Sequence, residues 1–333
     1  HMPLVVEQAE DEIAAIGMAI GASYAGARSA VGTSGGGFAL MVEHISLAGI
    51  TETPVVIYCI QRPGPATGLP TRTEQGDLLF AIHAGHGEFP RIVFAPGDPL
   101  EMFYTSITAF NLADKYQIPV IILGDQYLAD TYRVCPLPDL ERISIDRHIC
   151  APGAHTAEYL RYHVTPTGIS PRSIPGRGPG MVVADSDEHD QAGHLTEDLD
   201  KRIKQNNKRL AKYNGIKQEI SGPTVYGDPK AETRLVCWGS TAGIVQEVVD
   251  RLSKHKSINY VHFNGIWPFP VEAARSALSG ARHLIAVENN AQAPLCALLR
   301  SEAGITVNDT ILKYNGMQFF PEEIIERLHG HDR

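Results

Sequence analysis

Residues 7–37 read EQAEDEIAAIGMAIGASYAGARSAVGTSGGG, and this stretch is the most informative part of the chain. It places one carboxylate, Glu12, at the start of a helix rich in Ala and Gly, and a glycine-rich turn at residues 33–37 follows one short strand later. Because glycine has no Cβ, a neighbouring backbone or a flat ligand can approach both segments closely. A carboxylate beside such a surface is a candidate proton donor or acceptor. The alternative is a helix cap followed by ordinary close helix packing.

Downstream of this stretch, strand and helix patterns alternate to about residue 130. Continuous apolar runs at residues 54–60, 91–95 and 119–123 predict buried parallel strands, in addition to a short strand at residues 30–33. Each strand ends in a polar or Gly/Pro-rich loop, which is where α/β folds build their sites. The sequence therefore predicts an open parallel sheet, with helices over residues 11–28, 38–48 and 99–115.

Prolines interrupt the pattern after residue 135, so residues 136–230 are predicted to form an extended linker that contains one helix near residues 197–213. A second α/β unit is predicted over residues 231–333. The turn at residues 239–243, GSTAG, could hold an anion on a helix N-terminus or be a tight turn, and the tight turn is favoured because the phosphate-loop signature is missing. We expect three parts: residues 1–135, 136–230 and 231–333.

Composition excludes several classes of function. The chain of 333 residues has a net charge of −9, which argues against a nucleic-acid partner. No apolar run reaches the roughly 18 residues needed to cross a bilayer, so no membrane association is expected. The basic stretch at residues 201–217 is interpreted as the solvated face of a connecting helix.

The five cysteines are scattered and form no C-x-x-C pair, which excludes a cysteine-ligated iron–sulfur cluster or zinc ribbon within this chain. They suggest a reducing compartment, and we expect a cytoplasmic protein. His83, His86 and Glu88 form the densest group of possible metal ligands, but a polar helix end is the favoured interpretation there.

Several long motifs in order carry a resemblance that covers nearly the whole chain: EDEIAAIGMAIGAS, TSGGGFALM, QRPGPATGLPTRTEQGDL, GISPRSIPG, DEHDQAGHLTED, HFNGIWPFP and AVENNAQ. The chain resembles the alpha subunit of the 2-oxoacid:ferredoxin oxidoreductases, which are thiamine-diphosphate enzymes, and is most similar to their 2-oxoglutarate branch. The resemblance implies an α/β fold with two open parallel-sheet domains. The first would be a pyrimidine-binding domain of the thiamine-diphosphate type and the second a transketolase C-terminal-like domain, joined by the extended linker.

The resemblance also implies roles for particular residues. Glu12 matches the catalytic glutamate that shares a proton with N1′ of the cofactor's aminopyrimidine, a task that requires a carboxyl group. The cofactor would also contact the turn residues Ser34, Gly35 and Gly36.

Substrate contacts are implied further along the chain. Arg62 matches the arginine that binds the substrate carboxylate, for which a planar guanidinium is suited. Thr67 lies in the loop after it. Arg72 is a candidate for a second carboxylate, the group that distinguishes 2-oxoglutarate from pyruvate; the alternative is a solvated arginine near Glu74.

This chain departs from the family pattern in instructive ways. Gly36 and Ala66 stand where a proline and a serine are more usual. Family members also carry an upstream strand and a Tyr-Pro-Ile-Thr-Pro segment, whose threonine touches substrate. We expect that segment either to be truncated here or to lie on another polypeptide, so that the first sheet would lack an inner element.

A G-D-G…N signature for magnesium and diphosphate is missing, and residues 124–126 are only a fragment of it. In the family a separate beta subunit supplies that half together with an iron–sulfur cluster. The resemblance therefore implies that magnesium and the cluster bind the beta subunit, and that this chain alone neither holds thiamine diphosphate tightly nor turns over.

The implied reaction converts 2-oxoglutarate, coenzyme A and oxidised ferredoxin to succinyl-CoA, CO₂ and reduced ferredoxin. Its partners are the beta subunit, ferredoxin, coenzyme A and the 2-oxoacid. Two alternatives stay open: the same chemistry on pyruvate or a branched-chain 2-oxoacid, and a non-catalytic assembly subunit that uses this fold only to bind a partner.

Overall fold

A computed structural model describes residues 4–150, 159–177 and 181–330. These residues form ten strands, β1 to β10, and eleven α-helices, α1 to α11, with one short 3₁₀ helix at Leu140–Arg142. The strands are β1 (Ala30–Thr33), β2 (Val55–Gln61), β3 (Ile92–Phe94), β4 (Pro119–Asp125), β5 (Thr224–Gly227), β6 (Thr233–Trp238), β7 (Ile258–Phe263), β8 (Gly265–Trp267), β9 (His283–Glu288) and β10 (Asp309–Leu312). The helices are α1 (Glu12–Tyr24), α2 (Gly35–Leu40), α3 (Val42–Ile50), α4 (Leu78–His83), α5 (Pro99–Tyr116), α6 (Gln126–Asp130), α7 (Leu199–Glu219), α8 (Thr241–Leu252), α9 (Val271–Leu278), α10 (Pro294–Ala303) and α11 (Pro321–Gly330).

Two five-stranded sheets organise the chain, in the orders β1-β2-β4-β3-β8 and β10-β9-β6-β7-β5. The central strands are parallel, and β2 and β4 are almost entirely buried, as continuous apolar runs predict. The prediction of two α/β units with open sheets is confirmed. Each sheet also carries one antiparallel edge strand, β8 in the first and β5 in the second, so both sheets are mixed.

Strand β8 joins the two units, because it follows β7 of the second sheet and pairs with β3 of the first. One continuous apolar cluster also contains side chains of both units, among them Ile16 and Phe38 from the first and Trp238 and Leu295 from the second. The second unit therefore packs directly against the first.

Two predicted helices differ from the structure. Helix α1 ends at Tyr24 rather than at residue 28, because Gly26 adopts φ +98° and lies so close to Ile174 that a Cβ would come within 2.5 Å of its Cδ1. The helix predicted over residues 38–48 is two helices, α2 and α3, which meet at the buried Met41.

The interpretation of residues 201–217 as a solvated face is wrong. Helix α7 spans these residues, and its spacing places several polar side chains together on one buried face. These buried residues are Gln205, Lys208, Arg209, Lys212 and Ile216. These basic side chains can be buried because acidic side chains on the elements packed against α7 neutralise their charge.

Glu52, which follows α3, is the central partner. Its two carboxylate oxygens lie 2.6 Å from Lys208 Nζ and 2.6 Å from Lys212 Nζ, and all three side chains are fully buried. Burial acts to raise the pKa of the Glu52 carboxyl, but Lys208, Lys212 and Arg161 outweigh it and hold the pKa well below its usual range. Burial lowers the pKa of Lys212 to about 8 despite the carboxylate beside it.

We expect Glu52→Gln to lower the free energy of unfolding by about 3 kcal/mol, because it leaves two buried ammonium groups without their counter-charge. The native carboxyl binds fewer protons than the unfolded one, so the stability it contributes is present above its usual pKa of 4.5 and is lost as the pH falls below that value. Urea titrations of both proteins between pH 7 and pH 3 measure this. The difference in free energy of unfolding between wild type and variant should narrow on acidification. No difference at pH 7 would contradict the role of Glu52 as the counter-charge of the two lysines.

Candidate active site

The carboxyl ends of β1, β2 and β4 meet at one edge of the first sheet, because these neighbouring strands are parallel. Ser34 follows β1, Arg62 follows β2 and Asp125 ends β4. The predicted cofactor turn and the predicted substrate arginine therefore share this edge.

Glu12 lies against the glycine turn. A Cβ built on Gly37 would fall 2.5 Å from Glu12 Oε1 and 2.1 Å from Thr33 Oγ1, so only glycine permits this approach. The capping role belongs to its neighbour Asp11, whose Oδ1 accepts a 2.7 Å hydrogen bond from Ala14 N. Glu12 is partly buried, and no residue of the described ranges hydrogen-bonds its carboxylate. This argues against the simple helix-cap alternative.

The other turn residues face different groups. Ser34 is the N-cap position of α2, and its side chain makes no capping bond. Gly35 packs on a carboxylate, since a Cβ there would lie 2.3 Å from Asp77 Oδ2. Gly36 is exposed, with the Ala66 carbonyl oxygen 3.7 Å from a built Cβ. The turn thus has one tightly packed side and one open side.

Asp77 lies against the glycine turn, and Glu74 lies three residues before it in the same loop; the sequence predicted no role for either carboxylate. Burial raises the pKa of the Asp77 carboxyl. Burial and the nearby Asp77 both raise the pKa of Glu74. The available signal was their place in the TEQGDL segment, which directly follows the substrate loop.

Arg62 is partly buried, and its Nε is a buried donor without a hydrogen-bond partner. Its neighbour Gln61 fixes the strand end, because Gln61 Nε2 donates to Gly124 O (3.0 Å) and Gln61 Oε1 accepts from Asp77 N (2.9 Å). An oriented guanidinium with an unmet donor is suited to an anionic ligand.

Thr67 and Arg72 lie in the exposed part of the loop that follows. Arg72 Nη1 donates to Met317 Sδ (3.2 Å), and its Cβ would meet a Cβ built on Gly316 at 3.0 Å. Arg72 is therefore held by a loop of the second unit rather than paired with Glu74. Among the described residues, no hydrogen bond or ion pair joins Thr67 or Arg72 to Glu12 or Arg62.

Other sequence hypotheses resolve as local structure. Asp125 caps α6, since its Oδ1 accepts from Leu128 N (2.9 Å), and burial raises its pKa. His83 is the last residue of α4. Among residues 4–150, 159–177 and 181–330, no cluster of three or more His, Cys, Asp or Glu side chains has the placement of a metal site. Gly239 adopts φ +58° two residues before α8, as a tight turn requires.

A cavity of about 480 Å³ lies between the two units, and Asp98, Glu101, His262 and Asn264 are among its lining residues. None of the predicted site residues lines it. Across the described chain, no helix combines the length and the hydropathy that crossing a bilayer requires.

Two family models match the chain. Residues 2–208 match "Pyruvate flavodoxin/ferredoxin oxidoreductase, thiamine diP-bdg", and residues 231–332 match "Pyruvate:ferredoxin oxidoreductase core domain II". Among curated relatives, the 2-oxoacid:ferredoxin oxidoreductase 1 alpha subunit of Sulfurisphaera tokodaii is 40% identical over 98% of this chain and 52% of its own length. The 2-oxoglutarate synthase subunit KorA of Methanothermobacter thermautotrophicus is 30% identical over 97% of this chain and 86% of its own length.

Solved structures give the same picture. A 2-oxoglutarate:ferredoxin oxidoreductase from Magnetococcus marinus, with 2-oxoglutarate, coenzyme A and succinyl-CoA bound, matches with a TM-score of 0.91 at 35% identity, over 98% of this chain and 57% of that one. A split-gene transketolase matches in fold alone, with a TM-score of 0.51 at 12% identity over 95% of this chain and 79% of that one. The chain spans about half the length of the first of these relatives and of the Magnetococcus structure.

Proposed function

The chain belongs to the family of 2-oxoacid:ferredoxin oxidoreductase alpha subunits, and from this premise we propose that it supplies one half of a thiamine-diphosphate site for oxidative decarboxylation of 2-oxoglutarate. One observation carries the proposal. The Glu12 carboxylate packs against the glycine turn at residues 33–37, while the capping bond of the helix is made by Asp11.

The residues at this edge fit the cofactor. The open side of Gly36 leaves room for a flat ring, and the unpartnered Glu12 carboxylate lies beside the same turn. Ser34, Gly35 and Gly36 would hold the pyrimidine, while Glu12 would hold the proton at its ring nitrogen. When bound, thiamine diphosphate supplies the carbon nucleophile for a 2-oxo carbon.

Arg62 has the complementary task of orienting the substrate. Its buried and unpartnered Nε would be satisfied by the carboxylate of a 2-oxoacid, and Thr67 lies in the loop that would cover that anion. Binding the carboxylate at a fixed guanidinium would place the 2-oxo carbon in a defined position, which is how an oriented complex lowers a barrier.

A beta subunit would complete the site. Large apolar side chains are exposed on α1, α2, α4 and the loop after β2, which are the elements that carry the site residues, and a protein interface would bury them. They are Ile13 (45% exposed), Met18 (51%), Leu40 (52%), Leu69 (48%) and Leu79 (37%). We propose that this face binds the beta subunit, which would carry magnesium and the iron–sulfur cluster. Coenzyme A and ferredoxin would react with the assembled complex rather than with this chain alone. All five cysteines are free thiols, which supports a reducing, cytoplasmic setting.

Co-expression with candidate beta subunits from the same genome, followed by an assay of 2-oxoacid-dependent viologen reduction, tests the proposal. We expect reduction with 2-oxoglutarate that requires coenzyme A and thiamine diphosphate, and none from this chain alone. An assembled, cofactor-loaded complex that reduces viologen with none of 2-oxoglutarate, pyruvate or branched-chain 2-oxoacids would refute it. A preference for pyruvate or a branched-chain 2-oxoacid would select that alternative.

Arg72 is the proposed determinant of substrate length. We expect Arg72→Met to raise KM for 2-oxoglutarate about tenfold and leave KM for pyruvate unchanged, because only the longer acid offers a second carboxylate. Arg142→Met is the matched control, since the Arg142 side chain is 81% exposed and, within the described ranges, its one ion pair is with Asp139. Equal KM changes for both acids would show that Arg72 does not recognise the second carboxylate of 2-oxoglutarate.

A further inference from the structure

Gln75 is fully buried in the loop between Arg62 and α4, yet every polar group it has is bonded to the second unit. Its backbone N donates to Asn289 O (2.8 Å), and its backbone O accepts from Asn290 Nδ2 (3.0 Å). Its side chain repeats the pattern: Oε1 accepts from Asn289 N (3.0 Å) and Nε2 donates to Trp238 O (2.8 Å). Four hydrogen bonds thus join one residue of the first unit to three residues of the second.

The three residues that bond Gln75 are themselves tied within the second unit. Glu288 is completely buried, and its Oε2 accepts from Trp238 Nε1 (2.9 Å) and Asn290 Nδ2 (3.0 Å). Asn289 Nδ2 donates to two backbone carbonyl oxygens of the same unit. Because these bonds hold all three residues in place, Trp238, Asn289 and Asn290 form an anchor for Gln75.

The anchor sits next to the site residues along the chain. Two residues before Gln75, Thr73 N donates to Gly316 O (3.1 Å) of the second unit. Two residues after it, Asp77 packs on Gly35 and donates its N–H to Gln61 Oε1. The loop at residues 62–77 therefore has its start fixed by β2 and its end fixed by Gln75, with an exposed stretch between.

We propose that Gln75 is a positioning residue, through which the second unit holds the loop at residues 62–77 in the conformation that binds the carboxylate of a 2-oxoacid. This inference rests on the proposed function for its substrate, but its structural part does not. Because the second unit takes all four polar groups of Gln75, this residue acts through the loop that carries Arg62 and Thr67.

Gln75→Met tests the inference, because it keeps the length of the side chain and removes both of its hydrogen bonds. In the reconstituted complex we expect KM for the 2-oxoacid to rise about tenfold while kcat changes less than about threefold, the pattern of lost ground-state binding. By hydrogen exchange on the purified chain, peptides covering residues 62–72 should exchange about tenfold faster.

The matched control is Gln205→Met. Gln205 is a similarly buried amide, whose Nε2 donates to Tyr162 O (3.0 Å), a residue outside the loop at residues 62–77. It should alter stability without changing KM or the exchange of residues 62–72. If Gln75→Met does not fold, Gly316→Ala presses on the same loop, since its Cβ would meet Leu69 Cδ1 and Arg72 Cβ at 3.0 Å, and the same changes are expected.

The outcomes separate the two proposals. Unchanged exchange of residues 62–72 in Gln75→Met, or in Gly316→Ala if that variant is used, overturns the positioning role whatever the activity. Faster exchange with an unchanged KM overturns its consequence for substrate binding. A wild-type complex that accepts no 2-oxoacid refutes the proposed function, while the exchange measurement still decides whether Gln75 holds the loop.

Discussion

Glu12→Gln is expected to lower turnover of the reconstituted complex about 10³-fold, within the range found when a general acid–base group is removed. The amide has the shape of the carboxyl group, so it should keep the close packing against Gly37, where even a Cβ would clash with Glu12 and Thr33. An amide cannot pass a proton to a ring nitrogen. The loss should therefore fall on kcat, with assembly and substrate KM little changed.

Asp11→Asn is the matched control for Glu12→Gln. Asp11 is the adjacent acid, and asparagine preserves an N-cap, so this variant removes one charge from the same helix turn without removing the proposed proton donor. It should keep full turnover. Full activity in Glu12→Gln, with the complex assembled, would favour the non-catalytic assembly subunit instead.

Much of the fold follows from local sequence. The runs at residues 54–60 and 119–123 are apolar throughout, and a strand buried on both faces requires that pattern, so β2 and β4 were predictable. Strands β5 and β8 are three or four residues long and lie at sheet edges, where one partner strand decides pairing. Such strands have no local signal, because their hydrogen bonds are supplied by distant residues.

The site divides in the same way. Glu12 and the turn at residues 33–37 are close in sequence, and the glycines of the turn indicate that another group packs closely there. Asp77 and Gln75 gain their environment from contacts across the fold, in the case of Gln75 with Trp238 more than 160 residues away. The burial of Lys208 could not be predicted from the sequence either, because a charged helix face is buried only when the tertiary fold brings a partner such as Glu52 to it.

Arg62→Met is expected to lower kcat/KM for the 2-oxoacid about 10³-fold, or about 4 kcal/mol, the usual loss when one member of a desolvated charged hydrogen-bonded pair is removed. Arg62→Lys should recover only part of it, about tenfold, because an ammonium keeps the charge but lacks the planar pair of donors that a carboxylate accepts.

Steady-state rates of the assembled complex against 2-oxoacid concentration measure the effect, and binding of thiamine diphosphate to the same variants should be unchanged. Arg28→Met is the control, because Arg28 is also a partly buried arginine but precedes β1, at the opposite edge of the sheet, where it pairs with Asp114. That variant should lose stability without a change in KM. An Arg62→Met complex with the wild-type KM would mean that the unpartnered Nε of Arg62 binds no substrate, and the carboxylate would have to be held from the beta-subunit side of the interface.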